Sequence, residues 1–314
     1  MLVRFWGVRG SIPTPLSPEQ VQAKITAVVE RISPADIASE EAKEKFIANL
    51  PDYLFGTVGG NSACVELRTD TGKEFILDCG SGLRSYCKNG IQPGDKHYYI
   101  FMSHFHWDHI QGLPFFDASF NPSAKIEIYS TFPAAERILE EQSRRPYFPK
   151  SACWPSVKKQ FTFHLVEADK PFYVKGVKVT CHKMKHPGNS YSFCFEENGK
   201  KFIYATDVEL QSADFDTDGR NAKFFQDADM LILDSQYTVE EAIKKENWGH
   251  SSFCYAIDFA ALWNVKNLYL FHHEPTYDDK KIYSILKSAR WYAGYSAQVK
   301  TKVYLAIEGQ EIEL

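Results

Sequence analysis

Short apolar runs bounded by polar turns recur along the chain, and longer stretches with every third or fourth position apolar lie between them. The first pattern suits strands and the second amphipathic helices. Alternation over residues 2–8 predicts a strand, which Arg9-Gly10-Ser11-Ile12-Pro13-Thr14-Pro15 then breaks. Further strands are predicted at residues 59–67, 74–78, 98–101, 124–131, 174–181, 200–206, 229–234, 266–271 and 301–307. Helical spacing appears over residues 133–143, 240–246, 252–261 and from Asp278 to about residue 293. The stretch 16–56 interrupts the early strands. Ser17-Pro18-Glu19-Gln20 carries a capping-box pattern with Pro in the first turn, and Val21, Ile25, Val28, Val29 and Ile32 follow at helical spacing. Ser39 can cap another helix running toward Leu50. This stretch is expected to be a helical insertion whose apolar stripe packs on the body; a lid or dimer element is the alternative. Strands and helices fall in two successive halves, which predicts an α/β architecture.

Bulk numbers narrow the class. The chain has 314 residues and 44% hydrophobic content, enough for one large domain over 1–314 with 16–56 inserted in it. A net charge of −4 gives no global basic field to recruit nucleic acid. The seven cysteines are odd in number and form no Cys-x-x-Cys, so reduced thiols are expected rather than a disulfide framework or a thiolate metal site. No apolar run reaches membrane-span length, and the opening Met-Leu-Val-Arg-Phe-Trp-Gly reads as a strand rather than a signal peptide. A soluble, cytoplasmic protein with no membrane partner is the expectation.

The candidate chemistry lies just after the strand 98–101, in Met102-Ser103-His104-Phe105-His106-Trp107-Asp108-His109. Alternation points His104 and His106 the same way, so two imidazoles can grip one cation. Asp108 and His109 sit beyond them on the turn and can face a second. Imidazole nitrogen with carboxylate oxygen suits zinc, iron or manganese. The bland alternative is a solvated His-rich turn. Four such groups in six residues behind a buried strand argue against it.

His-Phe-His-Trp-Asp-His resembles the His-x-His-x-Asp-His signature of the metallo-β-lactamase superfamily. Residues 2–15 and 59–67 resemble the N-terminal hairpin of its phosphodiesterase branch, which includes tRNA 3′-processing endonucleases and certain cyclic-nucleotide phosphodiesterases. The resemblance spans nearly the whole chain apart from the insertion. It implies an αββα sandwich: two mixed β-sheets face to face, helices outside, metals at one edge. His186, followed by Pro187-Gly188, matches the family's next ligand, and Asp207 matches the acid that bridges both metals. The last ligand sits after the strand 266–271, where His272 is favoured and His273 is the alternative. One ion would then take His104, His106 and His186, and the other Asp108, His109 and His272.

Asp234 at the end of a strand and Asn247-Trp248-Gly249-His250-Ser251 resemble a pair found in the phosphodiesterase branch, where the acid orients the His and the His assists the leaving group. The implied activity is a dinuclear metal phosphodiesterase in which a metal-bridged hydroxide attacks phosphorus. Asp108, Asp234 and His250 are its catalytic residues beside the metals, and Zn2+ is favoured over Mn2+ or Fe2+. A small phosphodiester, above all a cyclic nucleotide, is the expected substrate. RNA is less favoured, because the protruding Gly-rich basic arm of the tRNA endonucleases is missing. A hydrolase of a lactone, ester or thioester is a further alternative, and a non-catalytic fold would require ligand losses that are not seen. The family often forms dimers, so a homodimer is expected.

Several residues keep two readings. Asp78 either orients a ligand His or caps a turn. Arg144-Arg145-Pro146-Tyr147-Phe148-Pro149 resembles a family segment near the metal mouth, where the arginines would meet phosphate and the aromatics a base; a local plug with solvated arginines is equally consistent. His97, His164 and His182 are expected to be structural or surface residues, and Lys183 and Lys185 solvated lysines.

Overall fold

A computed structural model describes residues 1–217, 219–295 and 300–314. Among the described residues the strands form two seven-stranded sheets. The first contains β1 (Leu2–Gly7), β2 (Cys64–Arg68), β3 (Glu74–Leu77), β4 (His97–Phe101), β5 (Lys125–Ser130) and β6 (Phe161–Leu165). The second contains β7 (Phe172–Val174), β8 (Val177–Met184), β9 (Ser190–Glu197), β10 (Lys200–Ala205), β11 (Met230–Asp234), β12 (Asn267–Phe271) and β13 (Lys302–Leu305). The last strand, β14 (Glu311–Glu313), returns to the first sheet and pairs with β1. Both sheets are mixed: β3 to β6 and β10 to β13 run parallel, and the hairpins at the other edges are antiparallel.

Alternation along the parallel strands explains the layers. Phe75 and Leu77, Tyr99 and Phe101, Met230 and Ile232, and Tyr269 and Phe271 point into one cluster between the sheets. Ile76, Tyr98 and Ile100 point to the outer face of the first sheet. Leu231, Leu233, Leu268 and Leu270 point to the outer face of the second, under helices Phe253–Leu262 and Asp279–Tyr295. A strand covered on both sides reads as a continuous apolar run, which is why these strands stand out in the sequence. The expected αββα sandwich is the observed one.

The parallel strands of both sheets send their carboxyl ends to the same edge, where ligands gather in α/β sheets. Asp78, the His104–His109 loop, Asp207, Asp234 and His272 each lie at such an exit. Asp78, Asp207 and His272 leave their strands in the left-handed region, with φ of 59°, 54° and 63°. That region is sparsely used by residues other than glycine, and it turns each side chain sharply toward the gap between the sheets.

The insertion differs from its expected packing. Its helix Pro18–Val29 starts with the expected Ser17 capping box, but no residue of it is buried. The inward face carries Gln20, Lys24, Ala27 and Val28, and Lys24 pairs with the buried Asp279. Val21, Ile25 and Val29 are 42, 59 and 62% exposed. The apolar stripe therefore faces outward, because an ion pair rather than apolar burial sets how the helix sits. Asp279 also accepts from Thr57 Oγ1 and the Val58 amide, so it ties both ends of the insertion to helix Asp279–Tyr295.

Candidate metal centre

The seven residues expected as ligands converge from both sheets. Ligand atoms of His104, His106, His186 and Asp207 form one group, all within 4.8 Å of one another, and those of Asp108, His109 and His272 form a second. Asp207 faces both. Its Oδ1 lies 3.6 Å from the Nε2 of His104 and of His186, and its Oδ2 lies 3.0 Å from His109 Nε2 and 3.2 Å from His272 Nε2. Asp108 Oδ2 completes the second group at 3.3 Å from His109 Nε2 and 3.2 Å from His272 Nε2. In the first group His186 Nε2 stands 3.0 Å from His106 Nδ1.

Partners behind the rings fix which nitrogen faces inward. His109 Nδ1 donates to Asp78 Oδ2 at 2.8 Å, His272 Nδ1 to Gln236 Oε1 at 2.9 Å and His186 Nδ1 to the Gly249 carbonyl at 2.8 Å. The Gln236 amide is itself oriented by its Nε2 donating to Glu274 at 2.7 Å. His104 Nδ1 donates to Ser103 Oγ, whose own proton goes to Asp78. With its outer nitrogen engaged, each ring turns its Nε2 toward the others, the arrangement metal-ligating histidines show. Of the two readings of Asp78, the geometry realises the orienting one: fully buried, it also accepts from the Ser103 amide and from Tyr204.

Electrostatics agree with a cation site. Burial, then the field of His109, holds His104 well below its ordinary pKa, and burial lowers His106 and His186 as well. Burial pushes the carboxyls of Asp108 and Asp207 up, but the surrounding histidines overcome it and keep both well below the usual range. Burial depresses His109, yet Asp207, Asp108 and Asp78 together raise it well above its ordinary value. The Nε2 atoms of His104 and His109 are buried without a hydrogen-bond partner. Orphaned nitrogens facing anionic carboxylates are costly unless a cation sits between them, so this donor set fits divalent metals.

His250 stands beside this cluster. Its Nδ1 donates to Asp234 Oδ2 at 2.6 Å, and its ring stacks on His272 with centroids 4.9 Å apart. Burial lowers its pKa, but the Asp234 charge and hydrogen bond dominate and raise it to about 9. Asp234 is positioned in turn by the Ser251 and Gln236 amides, which donate to its Oδ1 at 3.1 and 3.3 Å.

Other residues are placed elsewhere. His273 turns away from the cluster and donates from Nε2 to the Ala306 carbonyl. His182 is buried between Asp169 and Asn221, while His97 and His164 flank Glu127 on neighbouring strands. Lys185 is not a free lysine, because its Nζ donates to Glu209 at 2.7 Å and to Asn247 at 2.9 Å. Sequence reasoning missed Gln236, Tyr204 and the Ser11 amide, which donates to Asp108 Oδ2 at 2.8 Å. None belongs to a local motif, so only the assembled site picks them out. It also missed Gly249 as a structural necessity. With φ of +93° it packs so tightly on His186 that a Cβ would lie 2.2 Å from Nδ1.

A family model described as a beta-lactamase superfamily domain matches residues 73–273. A ribonuclease Z of Streptococcus pneumoniae is 24% identical over 298 residues, covering 81% of this chain and 94% of that protein. Among solved structures, the short form of human tRNase Z aligns over 100% of this chain and 99% of its own, with 20% identity and a TM-score of 0.61. A diphosphatase of the PhnP family aligns over 100% of this chain and 96% of its own, with 18% identity and a TM-score of 0.63. The protein YhfI from Bacillus subtilis has the same TM-score of 0.63 at 16% identity, covering 100% of this chain and 98% of that one.

Proposed function

The chain belongs to the beta-lactamase superfamily, and from that premise we propose that it is a metal-dependent phosphoric diester hydrolase. His104, His106 and His186 would hold one divalent cation and Asp108, His109 and His272 a second, with Asp207 between them. Zinc is the first choice for these donors, with manganese or iron as substitutes. Such ions lower the pKa of water toward neutrality and neutralise charge on phosphoryl oxygens.

The chain's own residues supply the rest. Asp207 and Asp108 bring two buried negative charges that set the position of the cations. Asp78, Gln236 and the Gly249 carbonyl keep the rings of His109, His272 and His186 in one tautomer. His250 keeps a proton at neutral pH because Asp234 faces its Nδ1, and its Nε2 is free to give that proton to a departing alkoxide.

The Asp234–His250 pair carries the reading. An alkoxide leaving from phosphorus needs a proton more than a thiolate leaving from a thioester does, whereas a lactone also expels an alkoxide and is separated by the substrate panel below. A cyclic nucleotide or another small nucleotide diester is the substrate we favour for this mouth. A second reading, endoribonuclease, is supported by the ribonuclease Z relative that aligns over 81% of the chain. A panel of bis-p-nitrophenyl phosphate, cyclic nucleotides, a short RNA, a lactone and a thioester tests the proposal on metal-loaded protein. Phosphodiester turnover is expected, and lactone or thioester turnover without it would refute the reading.

A further inference from the structure

The surroundings of His250 fix where a leaving group goes. Asp234 holds its Nδ1, and one ring face stacks on His272. The rings of His186 and Tyr237 meet it steeply inclined, with centroids 5.3 and 5.7 Å away. A general acid works within about 3 Å of the oxygen it protonates. The body of the leaving alcohol therefore starts at His250 and extends into the open space beside that ring. A cleft of about 320 Å³ adjoins it there, lined by His250 itself with Leu210, Gln211, Ile243 and Tyr255. Its size is at the small end of ligand pockets, which span about 300–1,000 Å³.

One wall is helix Val239–Lys244 and the residues just after it. Val239, Ala242, Ile243 and Glu246 recur at helical spacing and share the face turned to the cleft. Val239, Ile243 and Tyr255 are 41, 74 and 50% exposed, so apolar surface stands uncovered around one small space. Charge is distributed unevenly. Among the described residues the lining has two acids, Glu209 and Glu246, and no Lys or Arg. Glu209 is answered by Lys185 at 2.7 Å and by the Gly249 amide. Glu246 is exposed and, among the described residues, forms no ion pair. The neighbouring cations point elsewhere: Lys244 pairs with Glu240, and Lys245 lies over the Tyr237 ring, 3.6 Å from Glu274.

We propose that this cleft is the subsite for the leaving alcohol, and that it selects phosphodiesters whose leaving alcohol is compact, partly apolar and free of any anionic group beyond the reacting phosphate. The proposal rests on the phosphodiesterase reading and names the substrate class on its leaving side. Ile243 and Tyr255 supply apolar surface that an alcohol covers on binding, and that burial is favourable. Glu246 repels a second anion, and no cation of the lining offsets the repulsion. In the step itself the bond from phosphorus to the alcohol oxygen breaks as the oxygen of water bonds to phosphorus. The departing oxygen takes the His250 proton, and the proton lost by water restores it through solvent. A strand that continues through further phosphates on the leaving side is disfavoured by the same wall.

Two chromogenic diesters test the subsite on metal-loaded protein. Methyl p-nitrophenyl phosphate and methyl 3-carboxy-4-nitrophenyl phosphate differ by one carboxylate on the leaving ring. Dividing each rate by that of the same ester in hydroxide removes their intrinsic difference. Corrected kcat/KM should be about tenfold or more lower for the charged ester in wild type. Ile243→Lys/Glu246→Lys turns two exposed positions of the wall cationic and should bring the esters within about threefold. Ile91→Lys adds a cation at an exposed isoleucine outside the cleft and should keep the wild-type gap. Equal discrimination in wild type and the double lysine variant would overturn the subsite, as would a wild type indifferent to the carboxylate. Hydrolysis of neither ester by wild type would overturn the phosphodiesterase reading. Difference spectroscopy of the two free phenols then judges the cleft alone, at mildly acidic pH where the phenols are protonated and the carboxylate is ionised. The uncharged phenol should bind wild type more tightly, and that preference should vanish in the double lysine variant; the same preference in both proteins would overturn the subsite.

Discussion

Replacing Asp234 by Asn tests the general-acid role of His250 with almost no change of shape. The Ser251 and Gln236 amides hold Oδ1 of residue 234, so the new amide would keep its oxygen there and turn its NH2 toward His250 Nδ1. A donor now faces a donor. The ring must present a lone pair at Nδ1, and its protonated form loses both the opposite charge and the hydrogen bond. The His250 pKa should fall from about 9 to 6.5 or lower. At pH 8 about nine-tenths of the rings are protonated with the first value and about 3% with the second, a loss of about 30-fold in competent enzyme. A raised pKa means the proton is held below about pH 9 and lost above it. The alkaline limb of kcat should therefore move down by two or more pH units in Asp234→Asn, and the two profiles should converge near pH 6. Metal content, measured on the same samples, should remain two equivalents. An alkaline limb in the same place in both proteins would show that Asp234 does not control the proton.

Other outcomes follow from the geometry of the rings. Gly249→Ala drives a methyl into His186 at a position with φ of +93°, so metal affinity of the first group should weaken by about 10–100-fold, read by competition with a chromogenic chelator. Asp78→Ala strands the donors of His109, Ser103 and Tyr204 in a fully buried place. It should cost about 3 kcal/mol or more in urea unfolding. Stripping divalent ions with a chelator should abolish turnover and lower the melting temperature, since free metal at about 1,000 times Kd stabilises by about 4 kcal/mol. Turnover that survives complete stripping would remove metals from the chemistry.

Much of this site was legible because it is built from strand exits. An apolar run ending in Asp or His is a local pattern, and Asp207, Asp234 and His272 all have it. The choice between His272 and His273 was not local. It depends on the left-handed turn at His272, which points one ring into the cluster and the next onto Ala306. Strands β6 and β9 escaped notice. The Phe161–Leu165 run is partly exposed at a sheet edge, and Ser190–Glu197 mixes small polar residues with its aromatics. The predicted strand 174–181 ran through a turn at Lys175-Gly176, both with positive φ, that separates β7 from β8. The outward stripe of helix Pro18–Val29 was misread because periodicity reveals a face but not which way it turns. Lys24, a polar residue within the pattern, decided the direction through Asp279.

The division of the cluster between the sheets has a structural consequence. His104, His106, Asp108 and His109 hang from the first sheet, whereas His186, Asp207 and His272 hang from the second. A cation held by either group spans the seam between the two halves, like a rivet through two plates. Cohesion of the sandwich at this end is then shared between apolar packing and coordination, and withdrawing the ions would let the halves gape there first, as a book opens from its unbound side. Neither half can drift in sequence independently of the other, because half of a ligand sphere has no use.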